Sequence, residues 1–325
     1  QYRQVVQSLR NSVLTAFYTP PVVPQTLYSV LKENNIAPRR IYEPSSGAGV
    51  FLSEAVKAFP ELERITAVEK DLLTAKVLQA LSGGFPVETT VHSMGFEETP
   101  SDDDGQYDLV VSNIPFGNFA VHDPSISSRD LVGKIHNYFF AKGIEKTGDG
   151  GLLAYITTDS FLNSPSNQKA REHLFGKADF ISLTVLLDNL MKDTGNTEAP
   201  SHLLIVQKNE EKNGLSADEQ LLVNTVALQN GFGDYPLNAY LHHHPQTIAG
   251  DEIKPGKNQY GHANQRVWQH GEMDAIAGKL TQTIEEGISK RFDHPRFQQS
   301  QTAAQTKNNK PKLTFLSVPE SISDA

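Results

Sequence analysis

Four consecutive residues, Asn113-Ile-Pro-Phe116, stand at the end of an apolar run beginning at Asp108, and their types suit chemistry on an amine. An exocyclic amine on a heteroaromatic ring is a poor nucleophile, because its lone pair is delocalised into the ring. Two acceptors placed on its N–H bonds favour the pyramidal amine of the transition state, which is preorganised electrostatic help without a strong base. The side-chain oxygen of Asn113 and the backbone carbonyl of Ile114 can supply them. Pro115 stiffens the loop through its fixed φ, and Phe116 offers a flat face on which an extruded base can stack. A second stretch, Glu43-Pro-Ser-Ser-Gly-Ala-Gly49, has residue types suited to holding a ligand. Gly47 and Gly49 let backbone approach it closely, and the helix that follows presents free N–H groups. The third glycine of the dinucleotide fingerprint is missing. Glu43, four positions before Gly47, suits an ammonium-bearing ligand better than a pyrophosphate. Glu69 closes a further apolar run about 20 residues beyond the glycine turn, where a carboxylate can take both ribose hydroxyls.

These residues need a parallel sheet to bring them together. Leu109 to Val111 read as a buried strand, with Ser112 to Gly117 as the loop at its carboxyl end, where open α/β sheets place ligands. Further strands are expected at the start of Arg40 to Leu52, in Ile65 to Asp71 ending in the acid Glu69, between Phe85 and His92, at Gly150 to Thr158, and at Phe180 to Asp188 and Ser201 to Lys208, the last two as a closing hairpin. Apolar spacing predicts helices over 3–16, Val22 to Leu31, Asp71 to Leu81 and Ile135 to Ile144, with Tyr138, Phe139 and Phe140 in the core. Asn118 to Lys134 is a polar, irregular loop beside the tetrad, in the place of a segment that meets substrate. Lys169, Arg171 and Lys177 are expected on the next helix, as solvated charges or a phosphate contact. Met273, Ile276, Leu280 and Ile284 give one more amphipathic helix, while the Gln-, Thr-, Asn- and Lys-rich stretch from Arg296 to Lys312 reads as disordered.

Asn113 to Phe116 resembles the Asn-Pro-Pro-Phe/Tyr tetrad of S-adenosylmethionine-dependent amino-methyltransferases, especially the adenine-N6 DNA methyltransferases, with Ile114 where proline is usual. Glu43 to Gly49 is similar to their Asp/Glu-Pro-x-x-Gly-x-Gly cofactor motif, and Tyr18-Thr19-Pro20 to the segment that packs over the cofactor's methionine moiety. The loop Asn189 to Pro200, and the stretches Asn238 to Pro245 and Val267 to Met273, resemble parts of large methylase-helicase proteins of mobile elements. The resemblance implies the class I methyltransferase fold, a Rossmann-like, seven-stranded mixed α/β sheet with helices on both faces, plus a partly helical C-terminal extension. It implies S-adenosylmethionine as cofactor, held by Tyr18, Thr19, Glu43, Pro44, Gly47, Gly49, Glu69 and Phe96. It also implies catalysis by Asn113, Ile114, Pro115 and Phe116, with Phe116, Lys192, Thr194 and Asn196 facing the base. Gly95 stands where relatives carry the acid that bonds the cofactor's adenine amine.

The activity so implied is methyl transfer to the N6 amine of adenine in DNA, flipped or single-stranded, in restriction-modification or on a mobile element. The tetrad equally serves N4-cytosine, rRNA or protein-glutamine methyltransferases, and Ile114 and Gly95 leave open a degenerate module that binds cofactor or DNA without turnover.

The 325 residues suffice for a large core. Residues 1–210 are expected to form the methyltransferase domain, 211–290 an extension and 291–325 a disordered tail, with further domains of a larger polypeptide as partners. Cysteine is absent, which removes disulfides and thiolate chemistry and fits a cytoplasmic, reducing setting. No apolar run approaches the roughly 20 residues of a membrane span. The adjacent His242, His243 and His244 point in different directions along a chain, so no metal is expected. Net charge is −9, with 29 acidic against 19 basic side chains in residues 1–240 and 9 against 10 in the rest. Bulk electrostatics therefore give weak, steeply salt-dependent DNA binding.

Overall fold

Short runs rich in β-branched and aliphatic residues, too brief for helices and flanked by turn formers, become the strands β1 (Arg40–Glu43), β2 (Arg64–Val68), β3 (Glu88–His92) and β4 (Tyr107–Asn113). With β5 (Thr147–Thr158), β6 (Ala178–Val185) and β7 (Ser201–Lys208) they form one sheet in the order β3-β2-β1-β4-β5-β7-β6. All neighbours are parallel except β7, which runs antiparallel to both β5 and β6. In this computed structural model the described residues are 19–191, 198–258, 261–270 and 275–308, with side chains as far as 302. The expected helix over 3–16, Tyr18, Lys192, Thr194, Asn196 and Met273 lie outside them.

Register at the amino edge is fixed by a buried ion pair. Asp108 accepts from the backbone N–H groups of Arg39 and Arg40 at 2.9 and 3.0 Å and pairs with the Arg40 guanidinium, which aligns β1 with β4. Helix Val22–Glu33 packs against helix Val50–Ala58. Helix Ile135–Lys146 buries Tyr138, Phe139 and Phe140, as their apolar spacing required.

After β7 the chain forms a helix, Ala217–Val223, and two antiparallel hairpins, β8 (Thr225–Asn230) with β9 (Gly233–Asn238) and β10 (Glu252–Lys257) with β11 (Ala263–Trp268). It then returns to the sheet. Helix Ala275–Arg291 buries Ile276, Leu280 and Ile284 and packs on β6 and helix Val22–Glu33. Helix His294–Asn308 lies against β5, with Phe297 3% exposed and Gln301 donating to the Ala37 carbonyl at 2.7 Å. The disorder expected from Arg296 is thus overturned as far as Asn308. The stretch carries one large apolar residue but satisfies polar groups of the core domain, and hydropathy does not register that.

Arg171 is a second correction. Expected as a solvated or phosphate-binding charge, it is fully buried, and its guanidinium donates to the carbonyls of Phe161, Ser164 and Val223 at 2.8 to 3.0 Å. Lys177 lies beyond the helix, which ends at Phe175, and pairs with Glu145.

Candidate active site at the carboxyl edge of the sheet

Strands β2, β1 and β4 are neighbours and parallel, so Glu69, Glu43 and Asn113 come to one edge. Glu43 is 1% exposed, and its Oε2 has no hydrogen-bond partner among the described residues. Burial pushes its carboxyl up from the ordinary range, and the nearby Glu69 charge adds to the effect. A buried carboxylate oxygen without a donor is costly, so this position fits a cationic group brought by a ligand. Glu69 accepts from the Gly47 amide at 2.8 Å and the Asp71 amide at 2.7 Å. Burial raises its carboxyl, against those hydrogen bonds.

The turn between them needs its glycines for different reasons. Gly47 has φ +51° and open space where a side chain would sit, so a ligand can approach its backbone. Gly49 has φ +81°, a left-handed conformation that strains any residue with a Cβ, so its backbone requires glycine; a Cβ there would also press on the Leu78 Cδ1 methyl at 2.5 Å. Pro44 is buried beneath the turn. Thr19 is 5% exposed at the entry to helix Val22–Glu33.

Phe96 does not occupy the place expected for it. Its ring is 2% exposed and packs with Tyr42, Tyr138 and Phe139 at centroid distances of 5.1 to 5.9 Å, so it belongs to the core and offers no face to a ligand. Met94, two residues earlier, is the half-buried apolar side chain at that strand end.

The tetrad continues a strand. β4 extends to Asn113, which pairs with Ile156 of β5, and the Ile114 amide donates to the Ile156 carbonyl at 3.0 Å. The Asn113 amide nitrogen lies 3.8 Å from Met191 Sδ. Ile114 is 1% exposed, Phe116 is half-buried, and Phe119 is 54% exposed with its ring folded over Gly117, where a Cβ would be 2.5 Å from Phe119 Cε1. Phe119 thus adds a second aromatic face at the loop, one that sequence reasoning passed over.

The loop after the tetrad is more ordered than its composition suggests. Asp123 is 6% exposed and accepts from Tyr138 Oη at 2.8 Å and Lys142 Nζ at 3.1 Å. Burial raises its carboxyl, but bonds from Ser125, Tyr138 and Lys142 outweigh that and hold it well below the carboxylate range. Lys142 also donates to the Thr99 carbonyl at 3.2 Å, tying this loop to the segment that follows β3. A lone Asp in a polar loop and a lone Lys on a helix gave no signal of this pairing.

Among the described residues no helix is long and apolar enough to cross a membrane, and no group of three or more His, Asp or Glu side chains is placed to hold a metal ion.

Comparison with known proteins bears on this geometry. Residues 52–189 match the family described as Eco57I restriction-modification methylase. The chain is 25% identical over 171 residues to "Defense against restriction protein B" of Escherichia phage P1, covering 52% of this chain and 7% of that protein. It is 28% identical over 190 residues to the type II methyltransferase M.XamI of Xanthomonas campestris pv. amaranthicola, covering 53% and 35%. The chain spans less than half the length of the curated relatives it matches. Among solved structures, the type I restriction-modification methyltransferase subunit from Streptococcus thermophilus superposes with a TM-score of 0.56 at 17% identity, covering 84% of this chain and 53% of that one. A Listeria monocytogenes protein assigned to the class I S-adenosylmethionine-dependent methyltransferases gives 0.52 at 16% identity, covering 61% and 63%. The fold is that of class I methyltransferases, and the resemblance to restriction-modification methylases is borne out.

Proposed function

We propose that the chain transfers the methyl group of S-adenosylmethionine to the N6 amine of adenine in DNA, with the base out of the stack or in a single strand. The observation that carries the reading is the meeting, at one sheet edge, of a buried Glu43 carboxyl oxygen with no donor among the described residues and the amide side chain of Asn113. S-adenosylmethionine supplies a sulfonium methyl, an electrophile that neutral amines can attack. Glu43 would hold the ammonium of its methionine moiety, the open backbone at Gly47 its carboxylate, and Glu69 the ribose hydroxyls. Pro44 and Gly49 shape the turn, Thr19 with Tyr18 covers it, and Met94 takes the place beside the adenine ring first assigned to Phe96.

Asn113 Oδ1 and the Ile114 carbonyl would accept hydrogen bonds from the two N–H groups of the target amine, which leaves its lone pair free to attack the methyl donor. Phe116 and Phe119 would hold the base by stacking, with Lys192, Thr194 and Asn196 as further candidate contacts to it. Much of the acceleration is then proximity in a fixed frame. S-adenosylhomocysteine would be the leaving group and the surplus proton of the methylated amine would pass to solvent, so no strong base is required beforehand.

The test is nucleoside mass spectrometry of unmethylated DNA incubated with the protein and isotopically labelled S-adenosylmethionine, with Asn113→Ala alongside. Labelled N6-methyladenine that disappears in the variant is the expected result. Labelled N4-methylcytosine would change the base and keep the mechanism. Absence of label in DNA with cofactor binding intact would overturn the assignment.

A further inference from the structure

This mechanism leaves unused a cavity of about 230 Å³ between the sheet and the two hairpins. Its floor is the same carboxyl edge, one strand beyond the tetrad: Asp159 follows β5, Ser201 and His202 open β7, and Asp188 follows β6. Its roof is the hairpin residues Leu228, Tyr235, Leu237 and Ile253. The hairpins are fastened there by polar bonds. Asn264 donates to Asp159 at 3.0 Å, Arg266 pairs with Asp188, and Asp188 N–H donates to the Val267 carbonyl at 2.8 Å.

Two polar atoms in this lining are unpaired among the described residues. Ser201 Oγ and His202 Nδ1 lie in residues 1% and 2% exposed, and neither has a hydrogen-bond partner among the described residues. A buried polar group left unpaired is costly, and such groups commonly mark the place of a ligand or water. Burial holds the His202 imidazole down at about 3, so it is neutral. Burial also pushes the Asp159 carboxyl up.

Size and charge select the occupant. The volume is several times the roughly 30 Å³ share of one water and below the roughly 300–1,000 Å³ of pockets for drug-sized ligands, which is room for one fused ring system. Two carboxyl side chains, with Arg266 already committed to Asp188, exclude a phosphate or other anion. The apolar faces of Leu228, Leu237 and Ile253 suit the flat surface of a ring, while Asp159 accepts from an amino group at its edge. Asn113 pairs with Ile156, three residues before Asp159, so the cavity floor begins about 10 Å from the tetrad at the usual strand rise.

We propose that this cavity binds a second unstacked nucleobase of the nucleic-acid substrate, one bearing an exocyclic amine, beside the base presented to Asn113. The inference rests on the function proposed above, and its test does not depend on turnover. The probe is 2-aminopurine, followed by its fluorescence, with S-adenosylhomocysteine held at saturation so that the cofactor site cannot take it. Quenching is expected with the unaltered protein and with Phe116→Ala, and at least a tenfold weaker affinity with Ile253→Trp, which fills the cavity from an exposed hairpin position, and with His202→Leu. Undiminished S-adenosylhomocysteine affinity shows that the variants are folded. No quenching, unchanged affinity in Ile253→Trp, or loss in Phe116→Ala alone would each overturn the proposal. Methyl transfer assayed in parallel separates the two readings: 2-aminopurine bound in the cavity by a protein that methylates nothing upholds this site and removes only the activity.

Discussion

Ser112 Oγ donates to the Ser45 carbonyl at 3.0 Å, which bonds the strand ending in Asn113 to the turn that holds Gly47 and Gly49. The hydroxyl is buried in both senses that matter, since Ser112 is fully inaccessible and sits one residue before the acceptor side chain. The frames for methyl donor and amine are therefore one rigid piece. An error of about 1 Å in such a frame can cost about a hundredfold in rate. Ser112→Ala is expected to lower kcat about tenfold with little change in S-adenosylhomocysteine affinity, read by single-turnover kinetics and calorimetry. Equal loss in both would place Ser112 in cofactor binding instead.

Glu43 sets a pH dependence. Its folded-state carboxyl is raised above the ordinary value by burial and by Glu69. Between the ordinary and the raised value the folded chain holds a proton that the unfolded chain has released, so stability falls as pH rises across that window. Pairing with a ligand ammonium needs the ionised form, so S-adenosylhomocysteine affinity should rise with pH over the same window. Glu43→Gln should weaken binding about tenfold to a hundredfold, roughly 1.4–2.8 kcal/mol, and flatten the pH profile in calorimetry. An unchanged slope in that variant would assign the titration elsewhere.

Ile114 tests why this chain departs from the usual proline. Its amide donates to the Ile156 carbonyl at 3.0 Å, and its side chain is 1% exposed in the core. Ile114→Pro removes the donor and opens a space, at about 1–3 kcal/mol for the stranded carbonyl plus a cavity cost. A lower melting temperature is expected, with no gain in methyl transfer. A proline variant as stable as the original, and faster, would mean that isoleucine is merely a defect.

How much of this was legible in the sequence differs by residue. The placing of Glu43, Gly47, Gly49, Glu69 and Asn113 at strand ends and in the turn was readable, because the short-range pattern states such positions directly. Phe96 misled because an aromatic residue after a strand can face either ligand or core, and only the positions of Tyr42, Tyr138 and Phe139 decide between them. Asp123 and Lys142, 19 positions apart, could not be paired from local pattern at all. Helix His294–Asn308 was hidden for the same reason, since its partners include Ala37 and β5, far away in the chain.

Arg171 offers the sharpest contrast between a surface reading and a buried one. Its guanidinium donates to the carbonyls of Phe161, Ser164 and Val223, so it joins the segment after β5 to the helix Ala217–Val223 beyond the sheet. Burial lowers its proton affinity only to about 10, and it stays charged at neutral pH. Arg171→Met keeps the stem's packing but strands three carbonyls at about 1–3 kcal/mol each before relaxation. Arg171→Lys keeps the charge, yet a point ammonium cannot span the fork that the planar group fills. Both variants are therefore expected to lose about 2–4 kcal/mol in denaturant titrations, within the range for breaking a buried polar network, and the lysine variant should recover less than half of the loss. A lysine variant of full stability would show that charge alone matters there, and a methionine variant of full stability would free Arg171 for the phosphate contact first considered for it.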